Sequence, residues 1–313
     1  QFQIGVAYNK ISAGGNIAVL PAMSKAFNTY YTRYPDDDRA VHAHYYDAWA
    51  HYRMGKWRDA SSIFAGLAKT FPASRYASEA LFRAGDALFN MTNRGGSEDK
   101  NQSFLDAMAF YDDLVKRYPR SSHVDDALYN KAWCLINLER TVDAVPIFQQ
   151  IVADHSDGTY GPRSQFTLGD YYYGLKEYEK ARENYETFLE LFPADKLTAQ
   201  DRALPRKAKT LLGHLGEIDA YNLYSAGEKL FDEKNYDEAV KIFKEVQQKY
   251  PESDQAVNSL VNIAAAYMAQ EEYRDAGEIF QEVVDGYGDN PKFLPQVDFA
   301  KQQLEAMQEA RVL

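Results

Sequence analysis

A chain of 313 residues, 45% hydrophobic and 26% charged, holds enough apolar material for two cores or one elongated array. Its net charge of −11, with no stripe of clustered Lys and Arg, leaves no electrostatic footprint for nucleic acid. The single cysteine, Cys134, rules out an internal disulfide and a cysteine-built metal site, and no apolar run reaches the length of a membrane-spanning helix.

The start, Gln1-Phe2-Gln3, carries neither a basic segment nor a signal core and reads as that of a mature protein or an excised fragment. Residues 4 to 11 are expected to form a first helix with Ser12-Ala13-Gly14-Gly15-Asn16 as its turn. From there a pattern recurs. Five segments end in an aromatic-proline pair: Tyr34-Pro35, Phe71-Pro72, Tyr118-Pro119, Phe192-Pro193 and Tyr250-Pro251. Two more end with Ser156 and Gly288 in the proline position. Twelve residues before each end-point stands a small or thin residue: Met23, Ala60, Ala107, Ala144, Ala181, Ala239 and Ala276. Eight before it stands an aromatic: Phe27, Phe64, Tyr111, Phe148, Tyr185, Phe243 and Phe280. Five before it stands a bulky residue: Tyr30, Leu67, Leu114, Ile151, Phe188, Val246 and Val283. Steps of four and three residues place all three series on one helix face, and the proline stops the helix.

Each unit also carries an earlier helix. Ala48, Gly85, Ala132, Gly169 and Ala264 stand thirteen residues after an end-point and are small enough for two helices to approach closely. A turn follows, with Trp57, Tyr178, Tyr236 or Tyr273 just before the second helix. Ser74, Ser121 and Ser253, each two residues after a proline, are expected to cap the next first helix.

Two stretches break the period. Gly85 and Ala107 lie 22 residues apart where a regular unit has 12, and the excess falls on the polar stretch 92–101. It reads as a tolerated surface loop, or else as a lid or docking contact. After Pro193 the small residue, Gly227, comes 34 residues on instead of 13. The added stretch reads as helical, lengthening the next first helix or adding a short one, with Pro205 as the place for a kink. Its cluster Arg206-Lys207-Ala208-Lys209 reads as a solvated helix face. Residues 297 to 312, with Phe299, Leu304 and Met307 as an apolar stripe, are expected to cap the array.

The series Leu168, Gly169, Tyr172, Ala181, Tyr185, Pro193 resembles the tetratricopeptide (TPR) repeat, and seven such units run from about 17 to 288. The resemblance implies an all-α fold of antiparallel helix pairs stacked into a right-handed superhelix. It divides the chain into an N-terminal TPR array, 1–193, with units ending near 35, 72, 119, 156 and 193; a helical insertion, 194–215; and C-terminal units with a capping helix, 216–313. The unit exceeds the usual TPR period by three residues, all after the proline. This Tyr-Pro-x-Ser-x-x-Ala junction resembles TPR proteins of the bacterial cell envelope, the Tol-Pal associated YbgF/CpoB kind and the outer-membrane assembly lipoprotein BamD. That resemblance implies a periplasmic or outer-membrane associated location.

In a TPR array the first helices line a concave groove, so the resemblance assigns groove positions by register from the small residue. The expected partner-binding groove is Tyr45, Trp49, Tyr52, Phe82, Asp86, Phe89, Tyr129, Trp133, Phe166, Asp170, Tyr173, Tyr224, Glu228 and Phe231. Aromatics offer large contact area at low entropy cost, and the carboxylates attract basic groups. Packing between neighbouring helices is the competing use of the same side chains. Only Asn258 and Asn262 match the Lys and Asn clamp with which some TPR proteins grip chaperone tails. No phosphate loop, dinucleotide fingerprint or nucleophile elbow is present, and His42, His44 and His51 read as structural or exposed.

The expected function is a non-catalytic scaffold or adaptor for a protein or peptide partner, within reach of a membrane-associated complex. No catalytic residue, metal or cofactor is called for, no nucleic acid, and no transmembrane segment. The alternatives are a recruiting region of a larger enzyme or secretion machine, and a cytoplasmic assembly factor.

Overall fold

The computed structural model describes residues 1–96, 99–310 and 312. Among them lie fifteen α-helices, three short 3-10 turns and no strand. The chain forms two compact units, Gln1–Arg202 and Ala203–Leu313. The boundary falls inside the stretch 194–215 that breaks the repeat.

The first unit contains five helix pairs: α1 (Phe2–Ala13) with α2 (Leu20–Arg33), α3 (Ala40–Arg53) with α4 (Trp57–Thr70), α5 (Ala77–Asn93) with α6 (Lys100–Arg117), α7 (Val124–Asn137) with α8 (Thr141–Asp154), and α9 (Gly161–Gly174) with α10 (Tyr178–Leu191). The second contains α11 (Leu204–Asp232) with α12 (Tyr236–Lys249), α13 (Asp254–Ala269) with α14 (Tyr273–Tyr287), and the closing helix α15 (Leu294–Glu309). Within each unit every helix packs on the next in sequence. Odd numbers are first helices and even numbers second helices, α15 standing where another first helix would.

The spacing of the second helices becomes the core. Phe27, Phe64, Tyr111, Tyr185, Phe243 and Phe280 are 0% exposed and Phe148 only 2%. The small residues twelve before each end-point and the bulky residues five before it are buried beside them. The aromatic ring lies against the small residue of the first helix. A Cβ added at Gly85 would stand 2.6 Å from the Tyr111 ring, at Gly169 2.5 Å from Tyr185, and at Gly227 2.6 Å from Phe243. Gly5 does the same for Phe27, again at 2.6 Å, and the spacing did not reveal it. Six extra residues lie between Gly5 and Phe27 relative to the regular unit, and Gly14-Gly15-Asn16 in the turn absorb them.

The second helices that end in an aromatic-proline pair close with the N–H of the aromatic bonded four residues back, as from Phe71 to the Leu67 carbonyl (2.8 Å) and from Tyr118 to Leu114 (2.8 Å). The following proline has no N–H to continue the ladder. The serine caps divide. Ser253 caps α13, its Oγ accepting from the Ala256 N–H at 3.2 Å. Ser74 and Ser121 do not cap α5 and α7, because a further turn intervenes; their hydroxyls accept from the N–H of Tyr76 (3.1 Å) and His123 (3.2 Å) inside that turn.

The interruptions are mostly helix. The excess near 92–101 lengthens α5 at its end and α6 at its start, and Asp99 caps α6 by accepting from the Gln102 N–H at 2.9 Å. Ser97 and Glu98 of the expected loop lie outside the described residues. The stretch after Pro193 lengthens the next first helix. Pro205 sits in the first turn of α11, where a missing N–H costs no hydrogen bond, so it starts a 29-residue helix instead of kinking one. The last helix is turned slightly from expectation. Val297, Ala300 and Met307 are buried, whereas Phe299 is 41% exposed and meets Phe280 only by its ring edge.

Candidate protein-binding surface

The first helices of the first unit are tied to one another by side chains at a spacing of 34 residues. The Tyr45 hydroxyl on α3 donates to Glu79 on α5 (3.0 Å), and Tyr52 donates to Asp86 (2.6 Å) while accepting from Asn90 (3.1 Å). Between these pairs the Arg83 guanidinium lies over the Trp49 ring (4.9 Å) and the Phe82 ring (5.1 Å), with Glu79 and Asp86 each 3.6 Å away. Between α7 and the residue that precedes α9 the same device recurs in mirror order: the Tyr160 hydroxyl donates to Asp126 at 2.8 Å.

A second set of contacts joins α3, α5 and α7 each to the residue just before the next first helix. Tyr45 stacks on Tyr76 (4.4 Å), Phe82 on His123 (5.3 Å) and Tyr129 on Tyr160 (4.3 Å). Burial pushes the Tyr45 phenol up to about 12. Burial and a neighbouring carboxylate raise Tyr52 and Tyr160 further, so all three donate as neutral phenols. Burial pushes Asp126 up, but hydrogen bonds from His123 and Tyr160 outweigh it and leave the carboxyl below its ordinary value.

The predicted groove residues therefore take three places. Phe82 and Phe166 are buried, Phe166 against Tyr185 and Phe188. Tyr45, Trp49, Tyr52, Asp86, Phe89, Tyr129, Trp133 and Tyr173 are half-buried and keep an outward edge. Asp170 is exposed and accepts from the Tyr185 hydroxyl at 2.6 Å. Tyr45, Trp49, Tyr52, Phe82 and Asp86 form one connected cluster. In the second unit Tyr224 accepts from Asn262 (2.9 Å), Phe231 meets Tyr236 edge-on, and Glu228 is exposed. Asn258, the other clamp-like asparagine, accepts from Gln296 at 2.8 Å, so both asparagines already serve neighbouring helices. Arg83, Glu79, Asp126 and Tyr160 were missed from the sequence. The signal for Glu79, Asp126 and Tyr160 is the 34-residue interval between a tyrosine and a carboxylate, and Arg83 stands the same interval after Trp49; register from the small residue tests neither.

His44 and His51 pack against neighbouring side chains. Asp47 is 0% exposed and accepts from the Tyr31 hydroxyl at 2.8 Å, with the His51 Nδ1 at 3.2 Å. His44 stacks on Tyr31 at 4.3 Å, and burial lowers its basicity. Among the described residues no His, Cys, Asp and Glu converge to hold a metal, and no helix is long and apolar enough to cross a membrane.

Comparison with known families agrees with this architecture. Tetratricopeptide repeat models match residues 79–121, 126–158 and 162–195. A model described as an outer membrane lipoprotein, YfiO, matches residues 217–293. No curated protein matches the chain. Among solved structures, a tetratricopeptide repeat protein from Parabacteroides merdae is 14% identical, with a TM-score of 0.44, over 97% of this chain and 96% of that one. The C-terminal part of a TPR repeat-containing protein from Cytophaga hutchinsonii is 16% identical, with a TM-score of 0.46, over 95% and 99%. The chain is an all-α protein built of tetratricopeptide repeats.

Proposed function

We propose that the chain is a non-catalytic scaffold that holds a partner segment along the first helices of its first unit. The observation that carries this reading is the half-burial of Trp49, Tyr52, Phe89, Trp133 and Tyr173, beside a second-helix core that is closed to solvent. Each ring is partly buried and partly exposed. Rings held this way present contact area with little rotamer entropy left to lose. The tyrosine-carboxylate bonds between consecutive first helices stiffen the surface before a partner arrives. An envelope location is supported by the lipoprotein family match over 217–293 and by the long Tyr-Pro-x-Ser junction.

The test is capture of partners from an envelope extract by wild type and by a Trp133→Ala, Tyr173→Ala variant, after circular dichroism shows both folded. Partners lost from the variant alone support the surface. Identical partners on both overturn it. Fractionation of the full-length protein with the outer membrane, as against the cytosol, tests the location.

A further inference from the structure

The residues that lengthen α5 bring Arg94 to its C-terminal end, with the guanidinium over the Trp57 ring at 5.5 Å. Trp57 opens α4 and meets Tyr52 of the first-helix surface edge-on at 4.8 Å. Between the α3–α4 turn and the end of α5 lies a cleft of about 470 Å³. Lys56, Trp57, Arg58 and Asp59 line it from the turn, and Met91 and Arg94 from α5.

The cleft carries an excess of positive charge. Against the exposed cations Lys56, Arg58 and Arg94 its described lining sets a single carboxylate, Asp59. Among the described residues none of the three cations is in an ion pair. Elsewhere in the array the same places are neutralised. Arg140, just before α8, stands where Lys56 does and pairs with Asp143 at 2.7 Å. Arg274 of α14 stands where Arg58 does and pairs with Glu278 at 3.3 Å. In α4 Ser62 occupies the place of Glu278, and Asp59, in the place of Asp143, is bonded to neither cation. In a chain of net charge −11, three cations without counter-ions around one cleft mark where an anion from outside fits.

We propose that this cleft seats an acidic side chain of the partner, its carboxylate among Lys56, Arg58 and Arg94 and its methylenes against Trp57 and Met91. The inference rests on the first-helix surface being the binding face, and it names the partner's chemistry: a segment that carries glutamate or aspartate where it passes Tyr52. The indole holds the flat face of the Arg94 guanidinium, which leaves the guanidinium edge to fork onto a carboxylate.

The experiment follows the indole N–H resonances of the full chain during titration with capped triglutamate, with capped triglutamine as its neutral isostere and with sodium sulfate as a bare anion. The Trp57 indole is expected to shift saturably with triglutamate, to stay still with triglutamine and to respond to sulfate only at much higher concentration, while Trp133 is unmoved. Added sodium chloride should weaken the response. The Lys56→Gln, Arg58→Gln, Arg94→Gln variant, shown folded by circular dichroism, should lose it. A Trp57 resonance unmoved by triglutamate, moved equally by triglutamine, or saturated by sulfate at the same concentration overturns the proposal. In the capture experiment, partners lost by the Trp133→Ala, Tyr173→Ala variant but kept by the triple variant would sink the acidic seat and leave the binding face standing. Partners kept by both would sink the face itself.

Discussion

Two faces of each helix pair obey different rules. The second-helix seam repeats the same chemistry in every pair, a small residue under a fully buried aromatic ring. The outward first-helix face changes from pair to pair: a cation-covered tryptophan and a tyrosine-carboxylate bond in one, a tryptophan edge-on to a tyrosine in another. The seam must fit within a fraction of an ångström, because a ring and a backbone share one space. The outer face has only to stay soluble and ordered, so its residues are free to differ. Uniform residues mark stability here, and the varied ones are where the proposed partner contacts would lie.

That contrast can be broken first at the seam. Phe64→Ala removes a 0% exposed ring from the centre of the first unit and should cost about 3–5 kcal/mol, read by urea unfolding. A loss below about 1 kcal/mol would mean that the seam is not the core. Gly169→Ala places a methyl group 2.5 Å from the Tyr185 ring and should cost roughly 1–3 kcal/mol. Gly213→Ala, in the exposed interior of α11 with nothing within 4 Å, should instead stabilise the second unit by about 0.5–1 kcal/mol. Opposite signs for one chemical change would separate packing from helix propensity, and equal signs would contradict the assignment.

On the outer face the effects are smaller. Tyr52→Phe deletes the bonds to Asp86 and Asn90 while keeping the ring, and should cost about 0.5–1.5 kcal/mol in the same assay. The His51–Asp47 pair adds a pH dependence. A hydrogen bond donated to the Asp47 carboxylate raises His51 above its ordinary 6.5, so its contribution is complete below 6.5 and fades as pH rises through the raised value. Burial pushes Asp47 up, but the bonds from His51, Ser24 and Tyr31 lower it overall, so its contribution is lost only as pH falls through that lowered value. Wild type should therefore lose roughly 1–2 °C of melting temperature against His51→Gln as pH rises above 6.5. Parallel curves for the two proteins would remove the pair from the account.

How much was legible follows the same division. The seam could be read because its constraint is local and periodic: Ala181, Tyr185 and Phe188 fall at fixed steps before Pro193. Gly5 escaped because a longer turn shifts it out of step with Phe27. Ser74 and Ser121 were misassigned because an added turn puts the helix start beyond them. Pro205 suggested a kink where the fold uses it as a helix start. On the outer face, register found Trp49 and Asp86 but could not show that Arg83 joins them. Contacts between consecutive first helices depend on side-chain reach across the pair, and no single-helix period encodes that.

The most direct measurement places a photoreactive benzophenone side chain at position Tyr173 on the outer first-helix face and, in a second protein, at Val142, which is 72% exposed on second helix α8. Both are irradiated in an envelope extract and the cross-linked partners compared. The account predicts a discrete cross-linked partner from position 173 and none in common from position 142. The same partner captured at 142 and absent at 173 would contradict it.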